Sequence, residues 1–444
     1  MPVRGWVAQA LILHGLASVI RCKYVMPVNP SAPVPEAPVS AQEEVGRIAA
    51  APEVRSAFAW LRAQEPQFAA WQLEMARIPS PPFAEGPRGE WLQRRFSELG
   101  LQDVRIDEVG NVLGRFPGVG DRHVALSAHI DTVFPAGTPL NIRQQGSRLY
   151  GPGVSDNGAG VTALLAVAAA IHACRIPHSL PILFIGNVGE EGEGDLRGMR
   201  HIFSSARGQD SILCNVVLDG AGSDTIVAEA LGSRRFEVIV RGPGGHSWSD
   251  FGAPNPILVL SRAIYLFAQT PVSSAPKTTF NVGVIRGGTS VNSIPESASM
   301  RVDIRSTSMA EMERVEAALR LALDRAVTEE SRALEKRIPP QRRSPGLGCE
   351  VVAIGNRPAG ELAQNARILR VIRAVDAHLG NATQIHRAST DANVPLSLGR
   401  EAIAIGGGGA GGGAHTLQEW FDCNGRELGL RRVLLTILTL AGVA

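Results

Sequence analysis

Four short apolar runs constrain this chain more than any other feature: HVALSAHIDTV, PILFIGNVGEE, NVVLDGAG and AIAIGG. Each is short and rich in branched aliphatic residues, and three of the four carry glycine, so each reads as a buried strand. Between the first two lies DNGAGVTALLAVAAAIHAC, an alanine- and leucine-rich helix. Strands that alternate with helices predict an α/β domain around a mostly parallel sheet. In such sheets the chemistry gathers just past the carboxyl ends of the strands. The histidines and acidic residues of this chain fall at those ends.

The rest of the chain organises around that pattern. Residues 43–76 carry apolar side chains at intervals of three and four, and 91–99 form another helix ended by Gly100. From about Leu231 the order becomes strand (RRFEVIVRG), helix (256–269), strand (TTFNVGVIRG), strand (ASMRVDIRS), helix (309–328) and strand (CEVVAIG). That β-α-β-β-α-β order is ferredoxin-like. The expected organisation is a leader over 1–40, a discontinuous α/β domain over 41–230 and 357–444, and an inserted α+β unit over 231–356. A length of 444 residues suits two domains. The basic segment EKRIPPQRR reads as a solvated connection, with a partner-binding patch as the alternative.

Composition excludes several classes. Hydrophobic residues make up 44% and charged residues 19%, which fits a globular core, and a formal charge of +2 without a basic stripe argues against a nucleic-acid partner. Lys23, Lys277 and Lys336 are the only lysines, a coding bias before a functional one. Five widely spaced cysteines, Cys22, Cys174, Cys214, Cys349 and Cys423, read as reduced thiols and point to a cytoplasmic location. The apolar stretch 6–20 is short for a membrane span, so no membrane partner is expected; with His14 inside it and no small residues to mark cleavage, it reads as an extended or misassigned start ahead of Met26, with a signal sequence as the alternative. The proline-rich MPVNPSAPVPEAPVS that follows reads as a disordered leader.

The strand ends supply the candidate chemistry. Two apart on an extended strand, His129 and Asp131 share a face, as a metal-binding histidine and its orienting carboxylate do, or as an ordinary hydrogen-bonded pair does. Asp156 opens the alanine-rich helix, where an N-cap is the simpler account. Glu190 and Glu191 are adjacent and resist burial unless cations compensate; a solvated acidic loop is the alternative. Asp219 ends another strand, where a turn residue is equally at home. His415 follows GGGGAGGG. Taken together, these groups suit divalent zinc and related metals better than a set of turns. The glycines before His415 read as room for a backbone that passes close to substrate, with a flexible linker as the other account.

In their order, SAHIDTV, GPGVSDNGAG, GEEGEGDLRG, VLDG, GPGGHSW, GGTSVNSIP, VDIRSTS, STDAN and GGGGAGGGAH resemble the dinuclear zinc hydrolases that include glutamate carboxypeptidase, acetylornithine deacetylase, succinyl-diaminopimelate desuccinylase, aminoacylase and peptidase T. The resemblance runs from about Ala41 to the end. It implies one metal on His129 and Asp219, another on Glu191 and His415, and Asp156 bridging both, often with a cis bond to the next residue, here Asn157. Two divalent ions are implied, zinc first, with cobalt or manganese as alternatives. Glu190 becomes the general base for a water held between them, with Asp131 behind His129. The insert becomes a lid that forms a homodimer; on it His246 matches an oxyanion-stabilising residue, in many relatives across the subunit boundary. Asn292 and Arg305 match positions that hold the carbonyl and carboxylate of substrate. The expected function is hydrolysis of an amide bond in a small substrate with a free carboxylate. EEGEGDLRG and STDAN point to a peptidase T-like exopeptidase; an N-acyl amino acid deacylase, a carboxypeptidase or a silent binding protein of the same fold are the alternatives.

Overall fold

The computed structural model of the chain describes residues 40–337, 346–382 and 384–443. The leader, including 6–20, and the end of the EKRIPPQRR connection lie outside the described residues.

The first described helix opens at a cap. Ser40 Oγ accepts the Glu43 N–H at 3.2 Å, and Glu43 accepts the Ser40 N–H at 2.9 Å, a reciprocal box that opens helix Ala41–Ala50. The helical stretch 43–76 is three helices, Ala41–Ala50, Pro52–Ala63 and Glu65–Ala76. Pro52 and Pro66 sit in the first turns of the second and third, where a missing N–H costs nothing but an uninterrupted helix is impossible.

The main sheet has nine strands in the order Gln102–Ile106, Val112–Phe116, Ile182–Asn187, His123–His129, Ile212–Leu218, Glu401–Ile405, Thr225–Ala230 and Gly360–Glu361, with Gln384–Ala388 also paired to Thr225–Ala230. The four strands from Ile182–Asn187 to Glu401–Ile405 are parallel and almost wholly buried, which is why their sequences are continuous apolar runs. His129 pairs with Asn187, Ala128 with Leu218 and Leu218 with Ile405. All four strands therefore end at one level, and the loops that follow converge on one spot. Helix Gly158–Ala173 is buried from Gly158 to Ile171. Its small side chains fit a helix covered on every side.

The second sheet is antiparallel, ordered Thr278–Gly287, Ser297–Ser306, Gly232–Arg241, Gly348–Arg357. With helices Pro256–Phe267 and Met309–Arg337 it has its own core around Val238, Phe267, Met300 and Leu319. This is the ferredoxin-like insert. Its second helix runs to Arg337, past Thr328, because EESRALEKR continues with strong helix formers and Thr328 alone is too weak an interruption.

The glycine run is no slack linker: it packs against the chain's own backbone, and Gly406 lines the cavity over the site. A Cβ on Gly407 would lie 2.5 Å from the Ala159 carbonyl oxygen, and one on Gly408 would lie 2.5 Å from that of Arg426. The chain's own backbone fills the space. Gly407→Ala should therefore cost about 1–3 kcal/mol, since a backbone carbonyl cannot yield as a side chain can. The check is the urea midpoint, which should fall at unchanged slope; an unmoved midpoint would show that the run is slack.

Candidate metal centre

The convergent loops bring five side chains together. His129 Nε2 lies 3.2 Å from Asp156 Oδ1 and 3.8 Å from Asp219 Oδ1. On the other side His415 Nε2 lies 3.1 Å from Asp156 Oδ2 and 3.1 Å from Glu191 Oε1. Ligand atoms of His129, Asp156 and Asp219 all fall within 4.8 Å of one another, and so do those of Asp156, Glu191 and His415. Asp156 belongs to both groups and offers one oxygen to each histidine.

Local chemistry explains how Asp156 is free to do so. Asn157, not Asp156, caps the buried helix: its Oδ1 accepts the N–H groups of Gly160 and Gly220, both at 3.0 Å. The Asp156–Asn157 peptide bond is cis. Glu419, fully buried, accepts the backbone N–H groups of Gly153, Ser155 and Asp156 at 2.8, 2.7 and 2.7 Å, and so fixes the loop that carries Asp156. Asp131 does the same for the opposite wall. Its oxygens accept the N–H groups of Glu190 and Glu191 at 3.0 and 2.8 Å, and Oδ1 stands 3.5 Å from His129 Nδ1.

A fit to divalent cations can be tested on these atoms. Asp156 Oδ1 is buried without a hydrogen bond 3.2 Å from His129 Nε2, an oxygen with electron pairs left for a cation at that point. Nitrogen from two histidines and oxygen from three carboxylates is a donor set for zinc-like ions. The electrostatics agree. Burial would depress the His129 imidazole, yet Asp131, Asp156 and Asp219 hold it well above the usual histidine value. His415 is raised to about 9, first by Asp156 and then by Glu191. Burial lifts Glu191 to about 7, and Asp156 and Asp131 add to it. Asp156 goes the other way: despite burial, His129 and His415 hold it below the usual carboxylate range. So many carboxylates in one buried place demand positive charge, which His129, Asp156, Glu191, Asp219 and His415 would gather by holding cations.

Glu190 has a different setting. Burial pushes its carboxyl well above the usual value, with Glu191 and Asp391 adding and Arg357 opposing. Arg357 donates to Glu190 Oε1 at 2.8 Å and also to the Glu190 carbonyl oxygen, and so fixes the side chain beside the ligand groups. Asp391, fully buried and raised to about 7 by burial, accepts from Asn187 Nδ2 at 2.6 Å just behind this wall. The expected residues did not include Glu419, Arg357 or Asp391. Arg357 follows an apolar strand and Asp391 lies within STDAN, so position alone offered a signal for these two; Glu419 had none.

A cavity of about 660 Å³ opens over the centre, bounded by Asp156, Glu190, Glu191, Asp219 and His415 below and by Arg305 among others from the insert. His246 and Asn292 are not among the residues that line it. They sit together on the exposed edge of the insert, where Gly245–His246 pairs with Ser293–Ile294 and the Ser247 N–H donates to the Asn292 carbonyl at 2.9 Å.

Comparison with known proteins gives the fold its relatives. Carboxypeptidase G2 of Pseudomonas sp. (strain RS-16) is 24% identical over 288 residues, 63% of this chain and 65% of that protein. The chain thus spans somewhat less than two thirds of that curated relative. Aminopeptidase PepT from Bacillus cereus ATCC 10987 shares the fold with a TM-score of 0.66 at 21% identity, over 85% of this chain and 99% of that one. A dinuclear metal binding peptidase of the M20 family from Bacillus subtilis has a TM-score of 0.63 at 15% identity, over 86% and 100% of the two chains. Residues 125–439 match the model of peptidase family M20/M25/M40, and the chain belongs to that family.

Proposed function

We propose that the protein is a metal-dependent exopeptidase that hydrolyses an amide bond in short peptides bearing a free carboxylate, in the manner of peptidase T. The observation that carries this reading is the sharing of Asp156 between two histidine-carboxylate groups with Glu190 fixed beside them. His129, Asp156 and Asp219 would hold one divalent cation; Asp156, Glu191 and His415 would hold the other. Zinc is the first candidate, cobalt or manganese the next. Bound there, such ions supply the Lewis acidity that polarises a scissile carbonyl and acidifies water. Glu190 takes a proton from the attacking water and returns it to the leaving amine. Asp131 keeps His129 oriented, and Arg305 offers its guanidinium to a substrate carboxylate at the far side of the cavity.

His246 and Asn292 act on the oxyanion and carbonyl of substrate, across the subunit boundary of a homodimer formed through the insert. Their exposure supports this, as does the apolar surface beside them, where Trp248 is 87% and Phe251 77% exposed. Aromatic side chains so exposed are usual at sites that meet another surface. Among the described residues no helix is long and apolar enough to cross a membrane. Cys174, Cys214, Cys349 and Cys423 are free thiols, which supports a reducing, cytoplasmic setting.

A second reading, carboxypeptidase or N-acyl amino acid deacylase, is favoured by the similarity to carboxypeptidase G2. The two are separated by a hydrolysis screen of dipeptides, tripeptides and N-acyl amino acids, with chelator or with added zinc, cobalt or manganese. Release of the first residue from tripeptides is the expected result. Exclusive release of acyl groups or of the last residue would shift the assignment to the second reading, and inactivity of the metal-loaded protein would leave only a binding role.

A further inference from the structure

Beyond Arg305, the cavity is bounded by two more arginines, Arg235 and Arg357. Arg357 is committed to Glu190. Arg235 and Arg305 are differently placed. Asp303 is the direct cross-strand partner of Arg235, and Arg305 lies two residues beyond Asp303 on the same strand, so all three share one face of the insert's sheet. The alternate residues Phe236, Val302 and Ile304 are buried in the insert's core on the other face. Arg235 Nε donates to Asp303 Oδ1 at 3.1 Å, and Arg305 Nε donates to Asp303 Oδ2 at 2.7 Å. Among the described residues neither guanidinium makes another hydrogen bond. One carboxylate thus grips both side chains by their inner nitrogens and leaves both pairs of outer nitrogens free at the cavity.

We propose that Arg235 is the second arm of a carboxylate clamp whose first arm is Arg305, and that Asp303 is the positioning residue that aims both. The charges decide what the clamp fits. Two guanidinium groups and one carboxylate leave one net positive charge, which matches one substrate carboxylate and not two. Two outer forks fixed in advance hold that carboxylate with less ordering than a single mobile arginine does. The proposal rests on the reading of the substrate as a free acid; it adds the residue that makes the acid a requirement and the residue that presets the geometry.

The test compares trialanine and N-acetylalanine with their carboxamides in the zinc-loaded enzyme. The wild-type enzyme should prefer the acids. Arg235→Ala should raise KM for the acids about tenfold or more, the loss expected of a charged hydrogen bond, with a much smaller change in kcat, and should cut the preference for acid over amide by the same factor. Arg235→Lys, which keeps the charge and loses the fork, should restore only part of it. Asp303→Asn should lower the preference while leaving both arginines present. If Arg235→Ala does not fold, Arg235→Lys alone decides the matter through the same ratio. An acid-over-amide preference that survives these changes overturns the clamp and spares the free-acid reading. A wild-type enzyme without preference, inactivity on both kinds of probe included, overturns that reading and the clamp with it.

Discussion

Replacing Glu190 by glutamine should lower kcat by about 10²–10⁴-fold, the range over which positioned acid-base groups act, with metal content unchanged. The substitution preserves shape and an oxygen that can still accept from Arg357 Nη1, now 2.8 Å from Glu190 Oε1. What it removes is the ability to take and return a proton. The Arg357 contacts to the side chain and to the carbonyl of the same residue mean that the glutamine should stay in place, so a fall in rate reports chemistry and not displacement. Metal content by atomic absorption is the necessary companion, because the Glu190 carboxylate lies within ligand reach of His129 and Glu191. Turnover near the wild-type rate would remove Glu190 from the role of base. A rate loss accompanied by metal loss would make it a ligand instead.

How much of this was legible follows the range of the physical signals. The parallel strands were readable because burial on both faces forces continuous apolar runs, and the site was readable as a place because such strands deliver their ends together. His129, Asp156, Glu190, Glu191 and Asp219 all lie within a few residues of a strand or helix end. Asp156 was ambiguous only while the cap was unassigned, and the next residue, Asn157, takes the cap. Residues that act at long range were silent. Glu419 accepts from the Asp156 N–H across 263 residues of chain, and no local periodicity marks a carboxylate whose partners are distant backbone donors. Asp391 differs: its place within STDAN marked it, while its bond to Asn187 across 204 residues did not. The glycine run was visible, but its cause was not: the atoms that exclude a Cβ at Gly407 and Gly408 belong to Ala159 and Arg426, which only the fold brings near. Prolines 52 and 66 were local and should have divided the first helical stretch.

Loss of Asp156, the carboxylate proposed to serve both cations, should have the largest effect of all. Asp156→Ala removes an oxygen from each of the two ligand groups at once, so both cations should bind weakly and activity should fall at least as far as on Glu190→Gln. A chelator should do the same to the wild-type protein, with recovery on adding zinc; the variant should not recover. Stability should change with pH in a stated direction. Glu191 is raised from 4.5 to about 7 by burial, so its stabilising share is full below 4.5 and is lost as pH rises through 7. His415 is raised from 6.5 to about 9, chiefly by Asp156, so its share is full below 6.5 and is lost as pH rises through 9. Asp156, held low, contributes above 3.8 and adds no slope in this window. The chelated protein should therefore melt at lower temperature with each step from about pH 5 to about pH 9. Saturating zinc should flatten that profile, because a cation takes over the charge compensation that protons supply and its binding strengthens as the ligands lose them. A chelated protein whose melting temperature stays level or climbs across that range would mean that the carboxylates are not packed tightly enough to need either protons or metal, and the dinuclear centre would lose its electrostatic basis.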